Sequence, residues 1–231
     1  MQLTLFAKQR GSPSDSEGGV SKIARRQVIN KTNMTSRDRI LADVRRNQPP
    51  LVAAPDITAW ENKAHSAEVL LQTFATVAGN VGGKVVLVDN VDDIKSHLNI
   101  PEGGRVLTTL PELLDVADDA ALFAGNAPHD LANVDLAILR AEFGVAENSA
   151  LWLTEKLMGT RVLPFICQHL AFVVNAKDIV PDMHAAYVRT AGTDHGFAAF
   201  IAGPSKTADI EQSLVLGAHG PRSLVIFVVL G

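Results

Sequence analysis

The sequence is poor in the residues that several large function classes require. A single cysteine, Cys167, stands among 231 residues, so an intramolecular disulfide is excluded, as are the four thiolates of an ordinary iron–sulfur cluster. Such usage fits a reducing compartment, and a cytoplasmic protein is expected. A basic surplus is lacking too: 21 Lys+Arg stand against 25 Asp+Glu, a formal net charge of −4, whereas a dedicated nucleic-acid binder needs cations to neutralise phosphates. No nucleic-acid partner is expected. The longest apolar run, Leu224 to Leu230, falls far short of the roughly 20 residues that cross a bilayer. Met1 to Arg10 lacks the apolar centre of a signal peptide.

Familiar chemical motifs are also missing. The Gly79 to Gly83 cluster precedes the strand-like run at Val85, the wrong side for a dinucleotide fingerprint. Ala78 and Val85 occupy the positions where a phosphate loop needs Gly and Ser or Thr. There is no His-Glu-x-x-His, Cys-x-x-Cys or Gly-x-Ser-x-Gly. Asp182-x-His184 is the nearest approach to metal-ligand spacing, and no metal is expected. Cys167 and His169 would share a face of a strand, which leaves a nucleophile pair or a buried structural cysteine as readings.

What is present divides the chain at Asn33. Residues 1–33 hold Lys8, Arg10, Lys22, Arg25, Arg26 and Lys31 against Asp15 and Glu17, with a Gly/Ser-rich stretch from Gly11 to Gly19 that has too little apolar surface to offset ordering entropy. The segment reads as a disordered tail, a basic arm or address, or an extension ahead of a start at Met34. From Thr35 a capped amphipathic helix opens a domain over 35–231, with a helical part over 35–80 and an α/β core over 84–231.

Helical spacing links Ala64, Ala67, Leu71, Phe74 and Ala78. There follow a strand-like run Lys84 to Val88, a helical Val91 to Leu98, Arg105 to Thr108, a short helix from Pro111 and the run Ala120 to Ala124. Further strand-like runs are Leu136 to Leu139, Ala150 to Thr154, His169 to Val174, Phe197 to Ala202 and Ser223 to Val229, with helices expected over Val180 to Arg189 and Thr207 to Leu216. Apolar β-branched runs alternating with helical segments predict an α/β fold, a mostly parallel sheet flanked by helices. Between Leu136 and Val174 the strands lie too close for crossover helices, which predicts an antiparallel or meandering part.

The most informative stretch is Gly203 to Glu211. After a strand, Ser205 or Thr207 can cap a helix whose free backbone N–H groups and Lys206 attract a small carboxylate or phosphate. Asp209 and Glu211 in the first turn also suit a plain cap. Gly217-Ala-His-Gly-Pro221 then turns the chain into the last strand.

Gly203-Pro-Ser-Lys-Thr-Ala-Asp-Ile-Glu-Gln212 with Gly217-Ala-His-Gly-Pro221 resembles the C-terminal signature of the LUD-domain family, in its lactate-utilisation protein C branch. The resemblance covers most of 35–231, with Gly144-Val-Ala-Glu-Asn-Ser149 and Leu163-Pro164 leading to His169-Leu170 as lesser landmarks. Ser149 departs from the pattern, where relatives carry Gly. The resemblance implies a fold like that of glucosamine-phosphate isomerase, ribose-phosphate isomerase and the coenzyme A transferases. It also implies a part in oxidising L-lactate to pyruvate beside partner proteins that carry iron–sulfur clusters, this chain holding no cofactor itself.

Three roles follow for the implied site. In one, a subunit binds a small anion through Gly203, Ser205, Lys206, Thr207, Asp209, Glu211, His169, His219 and Gly220. In another, Glu147-Asn148 resembles the Glu-Asn-Gly of coenzyme A transferases, and Glu147 is the nucleophile toward an acyl thioester. In the third, Glu147 only accepts hydrogen bonds from a neighbouring loop.

Overall fold

A computed structural model of the protein describes residues 34–56, 65–98, 100, 102–208 and 214–231. The expectations for residues 1–33, and for Asp209 and Glu211, lie outside the described residues. The chain divides into two compact units, 1–55 and 56–231. In the first, α1 (Ser36–Arg46) starts as its sequence dictates: the Thr35 hydroxyl accepts the Asp38 N–H while the Asp38 carboxylate accepts the Thr35 N–H, both at 3.2 Å. This reciprocal pairing satisfies two backbone donors that a helix start would otherwise leave open. The helix buries none of its own residues.

The second unit is built on a six-stranded sheet in which every pairing is parallel. Its strands are β1 (Lys84–Val88), β2 (Val106–Thr108), β3 (Asp118–Asp119), β4 (Leu136–Arg140), β7 (His169–Asn175) and β12 (Ser223–Val229), in the order β1-β12-β7-β4-β2-β3. Register aligns Ser223 with His169 and Leu136 with His169. Alternation along the strands then sorts residues by face. Leu170, Phe172 and Val174 join Leu224, Ile226 and Val228 in a core that also receives Phe74 and Ala78 of α2 (Ala67–Asn80). Ala171, Val173, Phe227 and Val229 face the opposite way, against Ile94, Leu110 and Leu113.

The segment 136–174 fulfils the meander expectation in part. β5 (Phe143–Val145) and β6 (Leu151–Thr154) pair antiparallel, and with β8 (Ile179–Val180) and β9 (Ala198–Ile201) they form a second sheet in the order β8-β5-β6-β9. β4 and β7 remain parallel neighbours. The second sheet approaches α2 closely: a Cβ on Gly144 would stand 2.9 Å from the Phe74 ring, so β5 needs glycine there.

Two helical expectations shrink, one strand-like run is overturned and one helix fails. Val91 to Leu98 contains a 3₁₀ segment, Asp92–His97, the short helix from Pro111 is a single 3₁₀ turn, Pro111–Leu113, and the strand-like run 120–124 folds instead as a 3₁₀ turn, Ala120–Phe123. The expected helix Thr207 to Leu216 is replaced by a hairpin of β10 (Lys206–Ala208) and β11 (Leu214–Leu216), paired antiparallel with Thr207 opposite Val215. Residues 209–213 between them lie outside the described residues. Two facing β-branched residues suit a strand pair better than a helix, and Gly217 closes the ladder by donating its N–H to the Ser205 carbonyl at 3.0 Å. Among the described residues the remaining α-helices are α3 (Leu163–Ile166), a single turn, and α4 (Met183–Thr190).

Candidate functional site

Parallel strands all begin at one edge of their sheet, and here that edge gathers polar side chains. β1 opens with Lys84, β7 with His169 and β12 with Ser223, while Asp135 immediately precedes β4. On the face opposite α2, these residues and the apolar positions that follow them border a cavity of about 400 Å³. Val86, Ala171, Val225 and Phe227 pave its floor, and His97 and Leu98 wall it from the 3₁₀ segment.

The tightest polar contact in the cavity joins His169 Nδ1 and Ser223 Oγ, 2.7 Å apart across the β7–β12 pairing. It fixes the plane of the imidazole, leaving the other ring nitrogen to meet a guest. Asp135 is held differently. Its carboxylate accepts the Arg105 N–H at 2.8 Å, and its backbone carbonyl accepts the His169 N–H at 2.8 Å. The Arg105 guanidinium in turn donates to the Asp130 carbonyl and lies 4.8 Å over the Phe123 ring. One anchored carboxylate therefore shares the cavity with Lys84, His97 and His169, a set that suits an anionic guest.

The sequence-expected residues fall into three groups. His169 lies in the cavity. Gly203, Ser205, Lys206, Thr207, His219 and Gly220 come together at the hairpin: the Ser205 N–H donates to the Pro221 carbonyl at 2.9 Å, and a Cβ on Gly220 would sit 3.2 Å from that of Ser205. Their premise of a helix start does not hold, because β10 begins at Lys206 and the Ser205 N–H is already engaged. Gly203, at φ +70°, brings the hairpin so close to the end of α2 that a Cβ would meet the Val81 carbonyl at 2.7 Å. The Lys206 ammonium reaches Gly82, two residues before Lys84.

Glu147 stands apart from the cavity. Its carboxylate accepts the Met183 N–H at 3.0 Å while Asp182 accepts the Ala185 N–H at 2.9 Å, so the two acids cap the start of α4. Its own N–H donates to the Pro181 carbonyl at 3.1 Å. Two residues on, Ser149 holds a φ of +57°, the left-handed region, and its buried hydroxyl has no hydrogen-bond partner. A glycine would hold this φ without the strain that a side chain brings.

Cys167 is 1% exposed, and burial pushes its thiol up to about 12. His169, by contrast, is exposed. The pair is therefore no nucleophile–base couple: a thiol held protonated in an apolar setting is inert. Among the described residues, no three His, Cys, Asp or Glu side chains converge as a metal set. No helix of the described residues is long and apolar enough to cross a membrane.

Lys84, His97, Asp135 and Ser223 were not singled out in the sequence. A signal existed, since each of three apolar runs opens with a polar residue, but only the parallel pairing turns three run starts into one edge.

Residues 117–229 match the LUD domain. An uncharacterized protein of Neisseria meningitidis serogroup B is 32% identical over 101 residues, 42% of this chain and 43% of that protein. Lactate utilization protein C of Geobacillus thermodenitrificans is 30% identical over 126 residues, 49% of this chain and 52% of its own length. The protein of that name from an Exiguobacterium species is 26% identical over 180 residues, 69% of this chain and 77% of the relative. The chain thus spans about half the length of the first two relatives. The crystal structure of a DUF162 family protein from Deinococcus radiodurans shares the fold, with a TM-score of 0.57 at 19% identity, covering 72% of this chain and 99% of that one. Residues 117–229, just under half of the chain, are thus similar to the LUD domain, and lactate utilization protein C sequences are among the proteins the chain resembles.

Proposed function

We propose that this chain is a lactate-utilisation protein C-like subunit that binds a small anion and takes part in oxidising L-lactate to pyruvate with iron–sulfur partner proteins. The observation that carries the binding half is the His169–Ser223 hydrogen bond at the mouth of a cavity that also holds Lys84. Lys84 supplies the charge that draws a carboxylate in. Ser223 holds the imidazole so that its outer nitrogen meets the carboxylate or the neighbouring hydroxyl. Of the hairpin residues, Lys206, whose ammonium reaches Gly82 two residues before Lys84, would add a second cation. Oxidation of lactate to pyruvate releases two electrons and two protons; iron–sulfur clusters on the partner proteins would supply the electron acceptor, and solvent would take the protons.

Support for the lactate half comes from the similarity to lactate utilization protein C sequences, and a chain with one cysteine is in keeping with clusters carried by partners. The acyl-transfer reading through Glu147 has weaker support, because one of its carboxylate oxygens is engaged as a helix cap.

Thermal unfolding of the full chain with L-lactate, pyruvate or phosphate tests the binding half. A saturable rise in Tm is expected, since at a hundredfold excess over Kd a ligand stabilises by about 2.7 kcal/mol. Lys84→Glu should remove the rise, and its persistence in that variant would reject the site. Growth on L-lactate after gene deletion, restored by wild type but not by Lys84→Glu, tests the pathway half.

A further inference from the structure

Along three strands of the cavity, polarity falls in the same direction. His169, Ser223 and Lys84 stand at the mouth; two residues on, Ala171, Val225 and Val86 offer only hydrocarbon. Two residues further along β12, Phe227 lies 2% exposed at the inner end. At about 3.3 Å per residue, the path from Ser223 to Phe227 is about 13 Å. Lactate has one methyl group beyond its functional carbons and would occupy the mouth alone. The volume of about 400 Å³ falls among cavities that enclose much larger ligands, mostly against apolar walls.

We infer that the cavity takes a carboxylate with an extended apolar tail, the charged end at Lys84, His169 and Ser223 and the tail running over Ala171 and Val225 toward Phe227. This rests on the anion-binding reading above and adds the tail to it. A bare inorganic anion would gain nothing from the apolar floor, whereas each methylene laid on it leaves water. Near Phe227 the His97 ring closes the wall, with ring centroids 6.4 Å apart, and the tail ends there.

Calorimetric titration of the full chain with straight-chain L-2-hydroxy acids, from L-lactate to 2-hydroxyoctanoate, tests the inference. Affinity should rise about fourfold per added methylene until the tail meets Phe227. Val225→Phe and Val86→Phe, both at half-buried positions, should flatten this dependence, with circular dichroism confirming the fold. A flat series in the wild-type chain, with lactate still bound, would overturn the tail and leave the anion site standing. Length-dependent tightening that survives in folded filling variants would also overturn it, because the tail would then lie elsewhere. Binding by no member of the series would remove both the tail and the anion reading.

Discussion

The two faces of the six-stranded sheet use the same strands to opposite ends. On β7 and β12 the residues Leu170, Phe172, Val174, Leu224, Ile226 and Val228 point to the side that α2 covers, and all six are buried. Their neighbours His169, Ala171, Ser223 and Val225 point the other way, where cover begins only partway along, over Phe227 and Val229. A period of two lets a single strand serve both purposes. The buried face supplies stability, and the open start of the other face borders the proposed binding cavity.

Substitutions on the two faces should therefore separate stability from binding. The largest effect is expected on the buried side: Phe172→Ala, at 0% exposure, should cost about 3–5 kcal/mol in denaturant unfolding. A loss below 1 kcal/mol would mean that this face is not the core. Cys167 belongs to the same core. Its folded thiol stays protonated up to about 12 against an ordinary 9.0, so the unfolded chain loses its proton first. The stability that burial of the neutral thiol provides is complete below pH 9 and drains away between 9 and 12, on the order of a few kcal/mol. Labelling with a small thiol reagent at pH 8 should fail in the native protein and go to completion in denaturant; native labelling would place Cys167 outside the core.

Ser149 lies on neither face of that sheet and sharpens the contrast as a control. Ser149→Gly removes a left-handed side-chain residue and an unpartnered buried hydroxyl, and should raise stability by about 1 kcal/mol without altering the anion response. The smallest stability effect is expected at the open mouth. His169→Ala should shift unfolding by less than about 0.5 kcal/mol yet abolish the ligand-induced rise in Tm; an unchanged rise would remove His169 from the site.

Local patterns carried much of the fold. Thr35 and Asp38 three residues apart are a capping box in sequence and in space. Lys84 to Val88 and Ser223 to Val229 are strands with the bounds their apolar runs announce. At Ser149, the mismatch with a glycine pattern marked a residue that does hold positive φ. The failure at 207–216 has an equally local cause: over so short a stretch, capping residues ahead of scattered apolar positions read as a helix. The partner that makes Thr207 a strand residue is Val215, and the clamp that holds both is Ser205 between Gly217 and Pro221.

Of the residues singled out in the sequence, only His169 lines the candidate cavity. Strand type and helix caps depend on residues a few positions apart, whose propensities, alternation and hydrogen bonds are written in order along the chain; those features the amino-acid order specified. Which strand lies beside which is a long-range matter, settled by how the sheet packs as a whole. The order β1-β12-β7-β4 is what sets Lys84, Ser223, His169 and Asp135 along one edge. That placement, and with it the 2.7 Å contact between His169 and Ser223, was decided by tertiary structure, because a side chain meets its functional partner across strands rather than along them.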